Sequence, residues 1–311
     1  MQHATIPRRA LFMLVALTLV WGTNWPLFPY AVREVSVWTF RAVAMLGSGL
    51  LLLTLARLRG HSLAIPRKYW RTVTLGTFFY LVIWNITSTY ASVLIPSGQA
   101  AVLGFTMPLW SALIAWAVLG ERLPARLLLA IILGGVGVAL LMVPSFSAFA
   151  NAPWGLALGL TSAICWAIGT LILKRGKVQV PVLVLTAWQL LLGAVPVATG
   201  ALVLGDWNWF IPSWQSIAVI AWITVIPMCI GNVCWFAIVD LLPANIAGLS
   251  SVMVPVVAMV SGAIVQGIGF SNAIGRPKKG PEKAPGRARR RPKYASPGGF
   301  SAQSGRLPAR G

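Results

Sequence analysis

The sequence is poor in charged residues, above all in acidic ones. Charged side chains make up 10% of the 311 residues, with five Asp and Glu against 25 Lys and Arg. A soluble domain carries roughly 25% charged residues, so this chain has too few charged side chains to cover a surface that faces water. A surface that faces lipid needs no such charge, because it should be apolar. The composition therefore indicates a membrane protein.

Residues that carry enzyme or metal chemistry are also scarce. The two histidines, His3 and His61, lie outside the apolar runs, and no acidic residue lies at the centre of such a run. A membrane-embedded enzyme needs paired carboxylates, histidines or an activated nucleophile at membrane depth. We therefore expect no catalytic residue, no cofactor and no buried carboxylate that relays protons.

The three cysteines, Cys165, Cys229 and Cys234, all lie inside apolar runs and show no CxxC spacing. Cysteine in such a setting is most often a small core residue. The sequence therefore predicts neither a disulfide nor a metal site.

The formal net charge of +20 resembles that of a nucleic-acid-binding protein, but its distribution argues against such a partner. Half of the excess lies in the last 36 residues, from Arg276 onward, which hold 11 Lys and Arg and one Glu. The other half is sorted among short loops. The expected partners are the lipid bilayer and a small-molecule substrate, with a homodimer left open.

The apolar residues form nine runs, each close to the length of about 20 residues that a spanning helix needs. The links between the runs are short, so no soluble domain fits between them. The fifth run is short and borderline. The predicted spans are Ala10–Tyr30, Ser36–Ala56, Trp70–Tyr90, Gly98–Leu119, Leu127–Val143, Trp154–Leu173, Val182–Leu204, Trp214–Val239 and Ile246–Gly267.

The first run follows Arg8 and Arg9, as the apolar core of a signal peptide does. It is long, however, and Trp21 and Pro26 interrupt its far end without a cleavage pattern after it. We therefore interpret it as a retained span.

Loop charges predict the orientation, because short cytoplasmic loops are enriched in Lys and Arg. Of the 14 such residues before Arg276, 12 fall on one side when the N-terminus is placed inside. Arg33 lies in an outer loop and Arg41 within a span. We predict a multi-pass protein of the cell inner (plasma) membrane with a cytoplasmic N-terminus.

Two stretches of the chain match at an offset of 147 residues. Pro96 and Pro108 correspond to Pro243 and Pro255, and Asn85 corresponds to Asn232. The offset aligns the fourth run with the ninth, so the repeating unit is five helices. Because five is odd, the second copy enters the membrane from the opposite side. The sequence predicts an all-α membrane protein built as an inverted repeat of two five-helix halves.

Several short motifs follow one another along the chain. They are Trp21-Gly-Thr-Asn24, Trp38-Thr-Phe-Arg41, Leu94-x-Pro96, Met107-Pro-Leu-Trp110, Leu119-Gly-Glu-Arg122-Leu, Trp166-Ala-Ile-Gly-Thr170, Thr186-Ala-Trp-Gln-Leu-Leu-Leu-Gly193 and Val254-Pro-Val-Val257. In this order and spacing they resemble the EamA family of the drug/metabolite transporter superfamily. The resemblance covers Arg9 to Gly267 and implies ten helices, a central cavity from helices one to four and six to nine, and export of amino acids or other small metabolites.

The chain departs from that family after Gly267, where a tenth helix is expected. We divide it into a first repeat at 1–145, a second repeat at 152–270 that lacks its tenth helix, and a basic disordered tail at 271–311. A lost reading frame would explain the Arg, Pro and Gly content of the tail. A genuine basic tail and another appended function stay open, as does a truncated relative that does not transport.

Polar and aromatic residues at membrane depth are costly in lipid and tend to face a cavity or another helix. For the amides the alternative is bonding between helices, and for the tryptophans it is the membrane interface. The predicted substrate-cavity residues are Trp21, Asn24, Trp38, Arg41, Trp84, Asn85, Gln99, Trp166, Trp188, Gln189, Asn232 and Trp235.

Arg41 is the sharpest of these candidates. It either anchors a substrate carboxylate or extends outward to pair with Glu34 or a helix end. Its approximate counterpart in the second half is the neutral Gln189. Proline removes a backbone hydrogen bond and can bend a span, and the candidates for such kinks are Pro26, Pro108, Pro227 and Pro255.

The predicted orientation is testable by labelling a single cysteine in a variant without the three native ones. Ser62→Cys, in the basic loop after the second span, should react with a membrane-impermeant thiol reagent only after the cells are opened. Labelling of intact cells from the periplasmic side would contradict the orientation.

Overall fold

The computed structural model describes residues 8–121, 125–142, 152–205, 212–241 and 244–265. Within these ranges the regular structure is entirely helical, and no strand occurs. The predicted all-α fold class is confirmed. The predicted tail at 271–311 and the missing tenth helix lie outside the described residues.

The first half contains five helices, which we label α1 to α5. They follow the first five predicted spans closely, since each begins and ends within a few residues of an apolar run. Their bounds are Arg8–Ala31 for α1, Val37–Leu58 for α2, Arg67–Leu94 for α3, Ser97–Leu119 for α4 and Ala125–Met142 for α5.

The second half contributes four more helices to the described residues. They are Pro153–Arg175 (α6), Val182–Leu204 (α7), a continuous α8 made of Trp214–Ile223, Thr224–Gly231 and Asn232–Leu241, and Ala244–Val265 (α9). Among the described residues, seven helices are long and apolar enough to cross a membrane. The chain is therefore a multi-pass membrane protein.

Serine side chains begin two of these helices. The Ser36 hydroxyl accepts a hydrogen bond from the Thr39 backbone N–H, and Ser213 does the same for Ser216 at the start of α8. Each bond satisfies an N–H group that has no partner inside its helix. The Ser213 backbone N–H also donates to the Glu34 carboxylate over 2.7 Å, which lowers the pKa of that carboxyl. This bond ties the α1–α2 loop to the start of α8.

Two helices contain a π-helical stretch at matching positions of the repeat. In α3 it covers Phe78–Ile83, and in α8 it covers Thr224–Gly231 around Pro227. Shifted back by 147 residues, the second stretch spans 77–84 and encloses the first. π-Helical turns are rare and occur frequently at functional sites. The two stretches mark where the regular helix geometry changes in both halves.

The other predicted kink residues lie in different surroundings. Pro26 lies in a 3₁₀ turn, Trp25–Leu27, inside α1. Pro108 follows a break in α4, where Ser97–Gly104 ends and a new helical segment begins at Met107. Pro255 lies inside α9, which stays helical around it.

Helix pairs in the core occur in matching sets. Helix α2 packs extensively on α7, and α4 packs on α9. Helix α1 packs on α9 as α6 packs on α4, and α3 packs on α6 as α8 packs on α1. Each helix of the first half corresponds to the helix numbered five higher in the second half. When every helix is replaced by its counterpart, each of these pairs becomes another observed pair or itself. The inverted orientation of the two halves stays a prediction.

Glycine lets helices approach closely at several of these contacts, as is common between spanning helices. At Gly169 of α6, an added Cβ would lie 2.6 Å from the Tyr80 backbone nitrogen and 2.7 Å from the Gly76 carbonyl oxygen. Both neighbours are backbone atoms of α3, which cannot move aside without shifting the helix.

Replacing Gly169 tests how much stability this contact contributes. Gly169→Ala should lower the free energy of unfolding by about 1–3 kcal/mol through overpacking, seen as a lower midpoint of thermal unfolding in detergent. Gly135→Ala in α5 is the matched control, because no atom lies within 4 Å of its added Cβ. Equal midpoints for the two variants would contradict the close α3–α6 contact.

Candidate functional site

A cavity lies among α1, α2, α3, α4, α6 and α8. It holds about 580 Å³ of space free of atoms, part of it open to the surroundings. Both halves of the chain contribute to its wall. The lining residues are Trp21, Asn24, Trp25, Arg41, Leu81, Trp84, Asn85, Gly104, Phe105, Met107, Trp166, Pro227, Met228 and Asn232.

Four tryptophans form a connected part of this wall. The Trp166 ring lies 5.0 Å from that of Trp84 and 6.4 Å from that of Trp21, in edge-on arrangements. Trp25 extends the group through an edge-on contact with Trp84 at 6.4 Å. Such offset and edge-on contacts are the arrangements that aromatic rings prefer. The four tryptophans give the cavity a wide apolar surface, and their contacts with one another fix the orientation of the rings.

The two asparagines related by the repeat make equivalent hydrogen bonds. Asn85 Nδ2 donates to the Leu81 carbonyl over 2.8 Å, and Asn232 Nδ2 donates to the Met228 carbonyl over 2.6 Å. Both carbonyls belong to the π-helical stretches, where the regular bonding pattern is altered. Each asparagine thus stabilises its own helix and still lies on the cavity wall.

Three side-chain atoms of the lining residues are buried without a hydrogen-bond partner among the described residues. They are the amide oxygens of Asn24 and Asn85 and the Nη2 atom of Arg41. A buried polar group without a partner costs about 1–3 kcal/mol, and more when it is charged. The lining residues therefore include two acceptor atoms and one donor atom that make no hydrogen bond among the described residues.

Arg41 is almost fully buried, with 1% of its surface exposed. Its Nε atom donates to the Thr89 hydroxyl over 2.6 Å. Its guanidinium carbon lies 4.3 Å from the centre of the Phe28 ring and 4.7 Å from that of Phe40. The side chain neither extends outward nor bonds to Glu34, which accepts from Ser213 instead. Arg41 therefore lies inside the helix bundle and on the cavity wall, and its binding of a substrate carboxylate stays a prediction.

Seven predicted cavity residues meet at this cavity, and five lie elsewhere. Trp235 packs behind the wall, with its ring 5.6 Å from that of Trp21. Trp188 lies near the α2–α3 loop, where its Nε1 donates to the Leu63 carbonyl over 2.8 Å. Trp38 lies directly against Gly200 of α7. Gln189 is buried in α7, and Gln99 is half-buried near the start of α4.

The sequence did not point to several lining residues. Trp25 follows Trp21 by one helical turn and therefore lies on the same helix face, a signal that was present in the sequence. Phe105 and Met107 reach the cavity because α4 breaks between them, and their apolar run gives no sign of that break. Leu81 and Met228 line the cavity through the π-helical stretches.

The chemistry of the wall suits binding rather than a reaction. It combines aromatic rings, amides and one guanidinium group, without a nucleophile paired to a base. Among the described residues, no group of three His, Cys, Asp or Glu is arranged to hold a metal ion. The arrangement can hold a partly apolar solute and hydrogen-bond its polar end.

Comparison with protein families gives a match along most of the chain. Residues 8–143 and 153–275 each match the model of the EamA-like transporter family. The two matches correspond to the two halves of the sequence repeat. The resemblance seen in the sequence motifs is thereby confirmed.

Curated bacterial proteins show similarity over most of their length. The Uncharacterized transporter YvbV of Bacillus subtilis (strain 168) is 26% identical over 266 residues, which is 82% of this chain and 83% of the relative. The Uncharacterized inner membrane transporter YedA of Escherichia coli (strain K12) is 25% identical over 251 residues, or 80% of each chain. These names point to a transporter rather than an enzyme.

One solved crystal structure has the same fold. It superposes with a TM-score of 0.63 at 22% sequence identity and covers 85% of this chain and 93% of its own. At this level of identity the likeness concerns the fold alone.

The cavity is testable through its accessibility to water-soluble thiol reagents. In a variant without the native cysteines, Phe105→Cys on the cavity wall should react with a small charged reagent. Phe40→Cys is the matched control, because Phe40 is fully buried and does not line the cavity. Equal reactivity of the two cysteines would contradict the cavity.

Proposed function

Because this chain belongs to the EamA-like transporter family, we propose that it exports small metabolites, such as amino acids or related polar and aromatic solutes. The observation that carries the proposal is the cavity, whose wall combines four tryptophans with amide groups from both halves.

The proposed route runs between two inverted halves. Three observations support this arrangement: the offset of 147 residues, the π-helical stretches at matching positions and the matched helix pairs. In transporters with inverted repeats, the substrate site lies at the interface of the halves. We assign residues 1–145 and 152–270 to the two repeats and 271–311 to a separate basic tail.

The proposed direction is outward across the inner membrane, with the N-terminus in the cytoplasm. The Lys and Arg bias of the loops supports the orientation, and the name of YedA supports the inner membrane. In this orientation the Arg57–Arg71 region is cytoplasmic and Glu34 lies on the outer side. Arg41 then lies in the outer part of its span, near the proposed exit.

Efflux from proteoliposomes tests the proposal. Vesicles that contain the full chain are loaded with a mixture of amino acids and aromatic acids, and mass spectrometry identifies what leaves faster than from protein-free vesicles. Asn24→Ala and Asn85→Ala should slow that efflux by up to about tenfold without loss of insertion, since each removes a hydrogen bond of about 0.5–1.5 kcal/mol to the solute.

Thr23→Ala is the matched control, because Thr23 is next to Asn24 in the sequence but its side chain is exposed and does not line the cavity. Its efflux should equal that of the unaltered chain. If no solute leaves through a chain that inserts and folds, the proposal is wrong. That result favours the alternative of a relative that does not transport.

A further inference from the structure

The cavity wall carries a single formal charge, the guanidinium group of Arg41. The other thirteen lining residues are neutral. Arg41 is 1% exposed, and its Nη2 atom has no hydrogen-bond partner among the described residues. A buried charge without a counter-ion is costly, because the desolvation of the charge is not repaid by a nearby opposite charge.

Among the side chains that the structure describes, no acidic group lies on the cavity wall beside this charge. The chain contains five acidic residues, which are Glu34, Glu121, Asp206, Asp240 and Glu282. Of these, the structure describes the side chains of Glu34 and Glu121, and neither belongs to the cavity wall. Glu34 accepts a hydrogen bond from Ser213. The Phe28 and Phe40 rings stabilise the guanidinium group through their faces. Ring faces do not supply the oxygen acceptor that Nη2 lacks.

The other lining residues indicate the structure of the solute apart from its charged group. The edges and faces of Trp21, Trp84 and Trp166 offer stacking surfaces for a flat apolar body. The unpartnered oxygens of Asn24 and Asn85 accept hydrogen bonds from neutral O–H or N–H groups. A positively charged ammonium group could also donate hydrogen bonds to these oxygens. It would, however, enter a cavity that already holds one uncompensated positive charge.

We propose, building on the proposed function, that the transported solute is an organic monoanion, an aromatic carboxylate without an ammonium group. Its carboxylate binds the Arg41 guanidinium and neutralises the cavity. Its ring stacks among the tryptophans. A zwitterionic amino acid also brings a carboxylate, but its net charge of zero leaves the positive charge of the cavity uncompensated.

A monoanion needs no coupling ion to leave the cell. The membrane potential is negative inside, and 100 mV shifts the distribution of a monoanion about 50-fold toward the outside. The sequence places no acidic residue or histidine at the centre of a span, so the spans offer no such group for proton coupling. The cavity therefore fits export that is driven by the membrane potential.

Three probes with the same ring and different charge test the proposal. The full chain in detergent is titrated with 3-phenylpropionate (charge −1), L-phenylalanine (zwitterion) and 2-phenylethylamine (charge +1) at neutral pH, with binding followed through tryptophan fluorescence. The anion should bind about tenfold or more tightly than either of the others. Tighter or equal binding by phenylalanine or the amine, or no binding by the anion, overturns the proposal.

Variants of Arg41 test the role of its charge. Arg41→Gln should weaken binding of 3-phenylpropionate about 10- to 100-fold, as expected for loss of a hydrogen bond to a charged group. Arg41→Lys keeps the charge and should still prefer the anion. Arg33→Gln is the control, since it removes the same charge from an exposed position outside the cavity. Equal anion affinity in Arg41→Gln and Arg33→Gln overturns the proposal.

Efflux under a set membrane potential separates this proposal from the proposed function. Proteoliposomes loaded with the permanently ionised 3-phenylpropane-1-sulfonate and with L-phenylalanine receive a potassium gradient and valinomycin. An inside-negative potential should accelerate efflux of the sulfonate above that from protein-free vesicles. Efflux of phenylalanine alone, independent of potential, leaves the proposed function standing and overturns the monoanion. If neither probe nor any solute of the wider mixture leaves, the proposed function itself fails.

Discussion

In hydrocarbon, no water is present to bond a backbone N–H or C=O group, so a spanning segment must satisfy these groups within the protein. The described residues obey this constraint by being helical along nearly all of their spans. Departures from regular geometry are therefore informative. Three of them, the π-helical stretches of α3 and α8 and the break in α4, all lie at the cavity.

Side chains bond the carbonyls at each of these departures. Asn85 and Asn232 donate to carbonyls of the π-helical stretches, and Trp21 donates to the Pro227 carbonyl over 3.3 Å. At the break in α4, the Thr106 hydroxyl donates to the Leu103 carbonyl over 2.6 Å. Of these side chains, Trp21, Asn85 and Asn232 also line the cavity. They therefore support the altered backbone and form part of the cavity wall.

The helices were predictable from the sequence because length and hydrophobicity alone identify a span. Every described helix lies on a predicted apolar run, and Val182–Leu204 has the predicted bounds. The family was also predictable, since its motifs recur in order along most of the chain. The correspondence between Asn85 and Asn232 was predictable from the offset of the repeat.

The wall of the cavity was only partly predictable, because helices that are apolar on all sides show no period that separates a cavity face from a lipid face. Trp84 and Trp188 both lie within apolar runs of the sequence. Trp84 lines the cavity, whereas Trp188 donates a hydrogen bond to the α2–α3 loop. The position of Arg41 was undecided, because a long side chain can extend toward either surface. Its contacts with Phe28 and Phe40 decide the matter, and they exist only in the folded chain.

The paired π-helical stretches also bear on the history of the chain. One residue inserted into an α-helix is accommodated locally by a single wider turn, which leaves the helix on either side unchanged. Such an insertion is a rare event, and two independent insertions at matching positions are rarer still. If the two halves descend from one ancestral sequence, a single insertion in that sequence accounts for the stretches at both Phe78–Ile83 and Thr224–Gly231.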